Sequence, residues 1–239
     1  MTSSRTRRPG QRPPSGTGPA PARPASARWI IALVGVAVLA AIVLALISTN
    51  SNDSNSQQVQ TAATTPGGGG PVVTAPVTVN GTPLPILSSE DKDPAVGMPF
   101  PEVSGTQVLN GQPLTIPPGG SRPKLVFYIA HWCPHCQREV PLLQSWIDQK
   151  SSSINADLFA VSTGVDQSRG NYPPAAWLTK EHWSVPTLAD SPNDDAARAA
   201  GLSGYPFFVA VDKNGKVVKR FSGERSIPEI EAVIASMQG

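Results

Sequence analysis

Nineteen consecutive positions, Trp29–Ile47 (WIIALVGVAVLAAIVLALI), carry no charge, no proline and no polar amide. At about 1.5 Å per residue such a helix spans about 28 Å, close to the hydrocarbon thickness of a bilayer. The pattern predicts a single transmembrane helix over residues 29–47. It is longer than the apolar core of a cleaved signal peptide, about 7–15 residues, and no clean A-x-A site follows. Residues 1–28 hold six arginines and no acidic residue. A basic flank stays in the cytoplasm, so this disordered tail is expected inside and the C-terminal bulk outside.

Residues 48–92 are rich in Ser, Thr, Asn, Pro and Gly, with PGGGG at Pro66–Gly70. That composition offers little apolar surface to offset ordering entropy and predicts a flexible linker. From Asp93 onward the pattern changes, and residues 93–239 suffice for one globular core. TQVLNGQPLTI (Thr106–Ile116) carries an Asn-Gly hairpin signal. KLVFYIA (Lys124–Ala130) is a continuous apolar and β-branched run that suits a buried central strand. Val140, Leu143, Trp146 and Ile147 recur at helical spacing after Cys133. INADLFAVSTG (Ile154–Gly164) reads as a second strand, Pro173–His182 as a helix, Val185–Ala189 as a short strand and Asp194–Ala200 as a short helix. Pro206–Val211 and Lys216–Gly223 flank an Asn-Gly turn, the second as an edge strand. Ser226 with Glu229 forms a capping box for a last helix. The order predicts an α/β fold, a mixed central sheet flanked by helices.

Composition narrows the function. Charged residues make up 15% of the chain and the net charge is +2. No nucleic-acid partner is expected from so modest a balance.

The chemistry lies in HWCPHC, His131–Cys136, which contains both cysteines of the chain. A bridge from Cys133 to Cys136 closes too small a loop to stabilise the fold. A metal site could draw on both cysteines with His131 and His135, but all four lie in one short turn, and closed sites take ligands from separate segments. A reactive dithiol fits better. A buried strand runs into Cys-x-x-Cys and a helix begins there, so Cys133 meets unpaired N–H groups and the positive end of the helix dipole. His135 adds a hydrogen bond or, protonated, a positive charge. Cys136 lies one turn further in and suits the resolving thiol. Pro134 fits the first helical turn because it has no N–H to lose. The pair is expected to cycle through a Cys133–Cys136 disulfide, without a prosthetic cofactor or a bound metal.

The region after the linker resembles the thioredoxin superfamily, in its TlpA-type branch of membrane-tethered extracytoplasmic thiol–disulfide oxidoreductases. The matching stretches are VGMPFPEVSG (Val96–Gly105), VFYIAHWCPHCQREVPLL (Val126–Leu143), VPTLAD (Val185–Asp190) and AARAAGLSGYPFFVAVDKNGKVVKRFSG (Ala196–Gly223). The Cys-Pro-His-Cys tetrapeptide is similar to that of DsbA-type periplasmic oxidants, whose large helical insertion has no room here. The resemblance implies a thioredoxin-like fold, with Cys133 as nucleophile and Trp132 shielding the pair. It further implies a cis-Pro206 facing the dithiol, Tyr205 offering backbone groups to a client, and Glu139 assisting proton transfer. The place of the buried acid of thioredoxins holds Phe127. That substitution and His135 favour oxidation, which is the expected direction; the alternative, which the TlpA-type resemblance implies, is a reductant of exported clients such as apocytochrome c. Expected partners are client proteins with thiols or disulfides and a membrane redox partner that recycles the pair. A Cys/His metal module and a non-catalytic adaptor are the rival classes.

Overall fold

The computed structural model describes residues 69–238. The apolar run at residues 29–47 and the basic tail before it lie outside them. Among the described residues no helix is long and apolar enough to cross a membrane.

The linker expected through Lys92 is folded from residue 69 onward, which corrects the boundary at Asp93. Strand β1 (Thr78–Asn80) pairs antiparallel with β2 (Glu102–Gln107). Leu84 and Leu87 are buried beyond it, and their amides donate to the Ala199 and Gly201 carbonyls. Apolar residues scattered among prolines make no periodic pattern, so composition alone hides this segment.

β2 turns through Asn110-Gly111 into β3 (Pro113–Ile116), the expected hairpin. Six further elements build the centre: β4 (Lys124–Ile129), helix α1 (Pro134–Lys150), β5 (Asp157–Ser162), helix α2 (Pro174–Lys180), β6 (Thr187–Ala189) and helix α3 (Asp195–Ala199). β7 (Phe207–Val211), β8 (Val217–Ser222) and helix α4 (Ile227–Ser236) complete the chain. The sheet runs β1-β2-β6-β5-β4-β7-β8, with β3 on the other edge of β2. β4, β5 and β6 are parallel, and β7 runs antiparallel to β4. β8 lies at the edge, as its alternating pattern predicts.

β4 is buried along its whole length, so its two faces feed two cores. Leu125, Phe127 and Ile129 pack with α1, α2 and α4, including Val140, Leu143, Trp177 and Ile230. Val126 and Tyr128 face the other way, towards Leu84, Phe100, Ala196 and Ala197. Phe127 meets Trp183 and Phe208 edge-on, with ring centroids 6.0 and 5.5 Å apart. The site where thioredoxins keep an acid is therefore an aromatic cluster. Trp146, Trp177 and Trp183 are packing residues.

One buried ion pair ties the N-terminal segment to the sheet. Arg220 on β8 donates through Nε and Nη2 to Asp93 and through Nη1 to the carbonyls of Pro85 and Ala200. Both charged side chains are essentially inaccessible. Burial alone would raise the Asp93 carboxyl, but the Arg220 fork and the Ala95 N–H overcome it and hold the group below its ordinary value. Gly201 closes the arrangement. Its φ is +69°, and a Cβ there would stand 2.2 Å from the Pro85 oxygen and 2.5 Å from Arg220 Nη1.

Candidate active site

β4 delivers the dithiol to the amino end of α1. Cys133 is the N-cap residue, with extended backbone, and Pro134 occupies the first helical turn. The Gln137 amide makes the first helical bond back to the Cys133 carbonyl at 3.0 Å. Both cysteines are free thiols here. Cys133 retains a sliver of exposure, whereas Cys136 is completely enclosed. Cys136 Sγ accepts from the Ala130 N–H at 3.5 Å. Burial pushes the Cys136 thiol well above its ordinary range, helped by the nearby Cys133 and Glu139 and opposed by that N–H.

The Cys133 thiol donates towards the Tyr205 carbonyl at 3.7 Å. The Tyr205–Pro206 peptide bond is cis, as the resemblance implies for Pro206. The pair therefore faces the residue before the cis-proline. A second cis bond, Tyr172–Pro173, had no counterpart in the sequence reading.

Trp132 and Tyr205 form an aromatic lip beside the sulfurs, meeting edge-on with centroids 5.7 Å apart. Trp132 Nε1 donates to the Gly164 carbonyl at 2.6 Å. Gly164 has φ +60°, and a Cβ there would lie 2.5 Å from the Tyr205 hydroxyl, so only glycine lets that ring settle. The Tyr205 phenol is pushed up to about 12, by burial first and then by the charge of Asp194. The guanidinium of Arg169 lies 4.3 Å above the Trp132 ring. Sequence reasoning missed Gly164 and Arg169, since their loop carries no periodicity.

His131 is a loop anchor. Its Nδ1 lies 2.8 Å from the Gly170 carbonyl, and its Nε2 lies 3.2 Å from the Asp166 N–H. One tautomer satisfies both contacts, donating from Nδ1 and accepting at Nε2. His135 departs from expectation. Its Nδ1 lies against Glu224 Oε1 and beside Arg138, on the solvent side of the site. The predicted hydrogen bond to the Cys133 sulfur gives way to a stronger, charged acceptor supplied by the turn between β8 and α4. With both His131 nitrogens used and His135 held by Glu224, the four side chains weighed as metal ligands do not converge. No group of three or more His, Cys, Asp or Glu side chains among the described residues is placed to hold a metal ion.

Glu139 is buried on α1, one turn beyond Cys136. Its carboxylate accepts from the Arg225 N–H at 3.2 Å. Burial pushes it up to about 7, against the pull of that N–H. This is a buried acid close to Cys136, reached from the helix instead of from β4. A raised carboxyl stabilises the fold below its unfolded value and loses that contribution as pH rises. Stability should therefore fall between about pH 4.5 and 7 by roughly 3 kcal/mol. In Glu139→Gln that fall should vanish, which urea unfolding at pH 5 and pH 9 would reveal.

The fold and the paired thiols define the class, a thioredoxin-superfamily thiol–disulfide oxidoreductase domain. Residues 95–234 match the Redoxin family, more than half of the chain, and the chain belongs to that family. Human nucleoredoxin is 30% identical over 131 residues, which cover 51% of this chain and 28% of that protein. A thiol:disulfide interchange protein DsbE from Chlorobium tepidum superposes with a TM-score of 0.50 at 18% identity, covering 60% of this chain and 98% of its own. A second thioredoxin-family interchange protein from the same species gives 0.50 at 20% identity, covering 60% and 97%. At such identity the two structures speak for the fold.

Proposed function

We propose that this chain is a membrane-anchored enzyme whose domain outside the cytoplasm reduces disulfides in exported client proteins. The observation that carries the exchange chemistry is the reach of Cys133 to the Tyr205 carbonyl before cis-Pro206, with Cys136 enclosed behind it. A client segment on the Trp132–Tyr205 lip presents its disulfide to Cys133. The Cys133 sulfur attacks one client sulfur, the client S–S bond breaks, and the other client sulfur leaves as a thiol. Cys136 then gives up its proton and attacks Cys133 in the mixed disulfide. The second client thiol departs, and the Cys133–Cys136 bond holds the oxidised pair. Two electrons have passed to the client, and a dithiol partner at the membrane restores them.

Two residues support reduction over the oxidation expected from the motif. His135, the feature shared with DsbA-type oxidants, is spent on Glu224. Glu139 supplies a buried acid that the Phe127 position lacks, close to the thiol whose proton must leave. The opposite direction is favoured by one observation, the placement of Cys133 at the amino end of α1, which stabilises a reduced, anionic sulfur. The apolar run at residues 29–47 and its arginine-rich flank support the anchor, with the N-terminus in the cytoplasm.

Equilibration of the full chain against dithiothreitol and glutathione buffers decides the direction. A reductant should come to balance in the thioredoxin range, about −270 mV, and an oxidant nearer the DsbA value of about −120 mV. A value near the second would reverse the proposed direction.

A further inference from the structure

Glu224 lies 86 and 89 residues from Arg138 and His135, yet its carboxylate gathers both. Arg138 donates to it through Nε at 3.1 Å and through Nη2 at 2.5 Å. His135 Nδ1 reaches the same oxygen, Oε1. Glu224 sits in the turn after β8, next to Arg225, whose N–H binds Glu139. The turn thus grips both the outer and the inner edge of the redox helix.

Arg138 stands near the start of α1, its Nη2 2.8 Å from His135 Nδ1. His135 is a member of the redox tetrapeptide itself. Released from Glu224, these two groups would add a positive charge and a hydrogen-bond donor on the helix turn that carries Cys133. Both would stabilise the reduced pair and make the disulfide more oxidising. A carboxylate between them does the reverse. It accepts contacts from the imidazole and the guanidinium fork, and it adds a negative charge of its own.

The geometry points to Glu224 as a positioning residue that sets the reduction potential of the pair, by holding His135 and Arg138 away from Cys133 and so making the dithiol a stronger reductant. This rests on the proposed redox role of Cys133 and Cys136. The equilibrium concerned is the dithiol plus glutathione disulfide against the protein disulfide plus two glutathione thiols. Two electrons and two protons leave the protein sulfurs as one S–S bond forms, and the glutathione S–S bond breaks.

The test measures that equilibrium at pH 7 on the full chain, with thiolate absorbance read alongside. Glu224→Gln should shift the constant towards the reduced protein by roughly tenfold, about 30 mV in the oxidising direction. Thiolate absorbance should rise with it. Glu224→Asp, which keeps the charge, should retain most of the wild-type value. Adding Arg138→Gln and His135→Ala to Glu224→Gln should erase the gain, because the released groups are then gone. A merely structural role for Glu224 would change unfolding and leave the potential where it was. If the wild-type pair cycles and Glu224→Gln leaves the constant within twofold, the inference is wrong. If the wild-type pair does not cycle at all, the redox reading itself fails, and the two failures are distinct.

Discussion

Cys133→Ser is expected to lower disulfide exchange with a peptide disulfide by about 10³-fold or more, since a hydroxyl at this position cannot replace a thiolate nucleophile. Cys136→Ser should behave differently. Cys133 keeps its access to the lip in that variant, so it still attacks a client. Resolution is then lost, and the chain should accumulate as a mixed disulfide with its clients. Non-reducing electrophoresis of the two variants separates the roles. Trapped species with Cys136→Ser and none with Cys133→Ser is the expected outcome. Equal trapping by both would mean that enclosure does not order the two sulfurs, and turnover by Cys133→Ser would favour a docking role for the fold.

The second large effect is structural. Asp93→Ala leaves the Arg220 guanidinium buried without its counter-ion, and removing one partner of such a pair costs about 3–5 kcal/mol. Replacing both, as Asp93→Leu with Arg220→Met, should recover much of the loss because no charge then remains uncompensated. The Asp93 carboxyl is held below its ordinary value, so its contribution is present above the unfolded value near 3.8 and lost as pH falls through the lower folded one. Wild-type stability should therefore decline below pH 4, and the doubly substituted chain should decline less. Urea midpoints at pH 7 and pH 3 check both statements. A loss under about 1 kcal/mol in Asp93→Ala would mean that water reaches Arg220 and the clasp is weaker than its burial implies.

Much of this architecture was legible in the chain before any coordinates. β4 could be read because it is buried on both faces, and a strand of that kind needs an unbroken apolar run. α1 could be read from its period and from Pro134 at its start. The dithiol and cis-Pro206 followed from local motifs and the resemblance they carry. What stayed hidden depends on partners distant in sequence. Residues 69–92 look like a linker because Leu84 and Leu87 stand alone among prolines, and only the Ala199 and Gly201 carbonyls and the Arg220 fork show why they are ordered. The partner of His135 is not legible locally, since nothing near HWCPHC announces a carboxylate 89 residues on. Glu139 shows a third pattern. Its place was visible, whereas its burial, and so its proton affinity near neutrality, required the fold.

The glycine beneath the Asp93–Arg220 clasp has a consequence for ancestry. The Pro85 oxygen and the guanidinium fill the space where a side chain at position 201 would begin, so the three residues form one packed unit. A descendant that loses the arginine is released from the demand for an acid at 93, but the Pro85 oxygen, 2.2 Å from a Cβ at 201, and the positive φ still hold that place for glycine. Lineages should therefore keep Asp93 and Arg220 together or drift at both, and hold Gly201 for as long as the Pro85 carbonyl lies over it. The pair would then mark which redoxins share the folded N-terminal segment, even where the segment itself has changed beyond alignment.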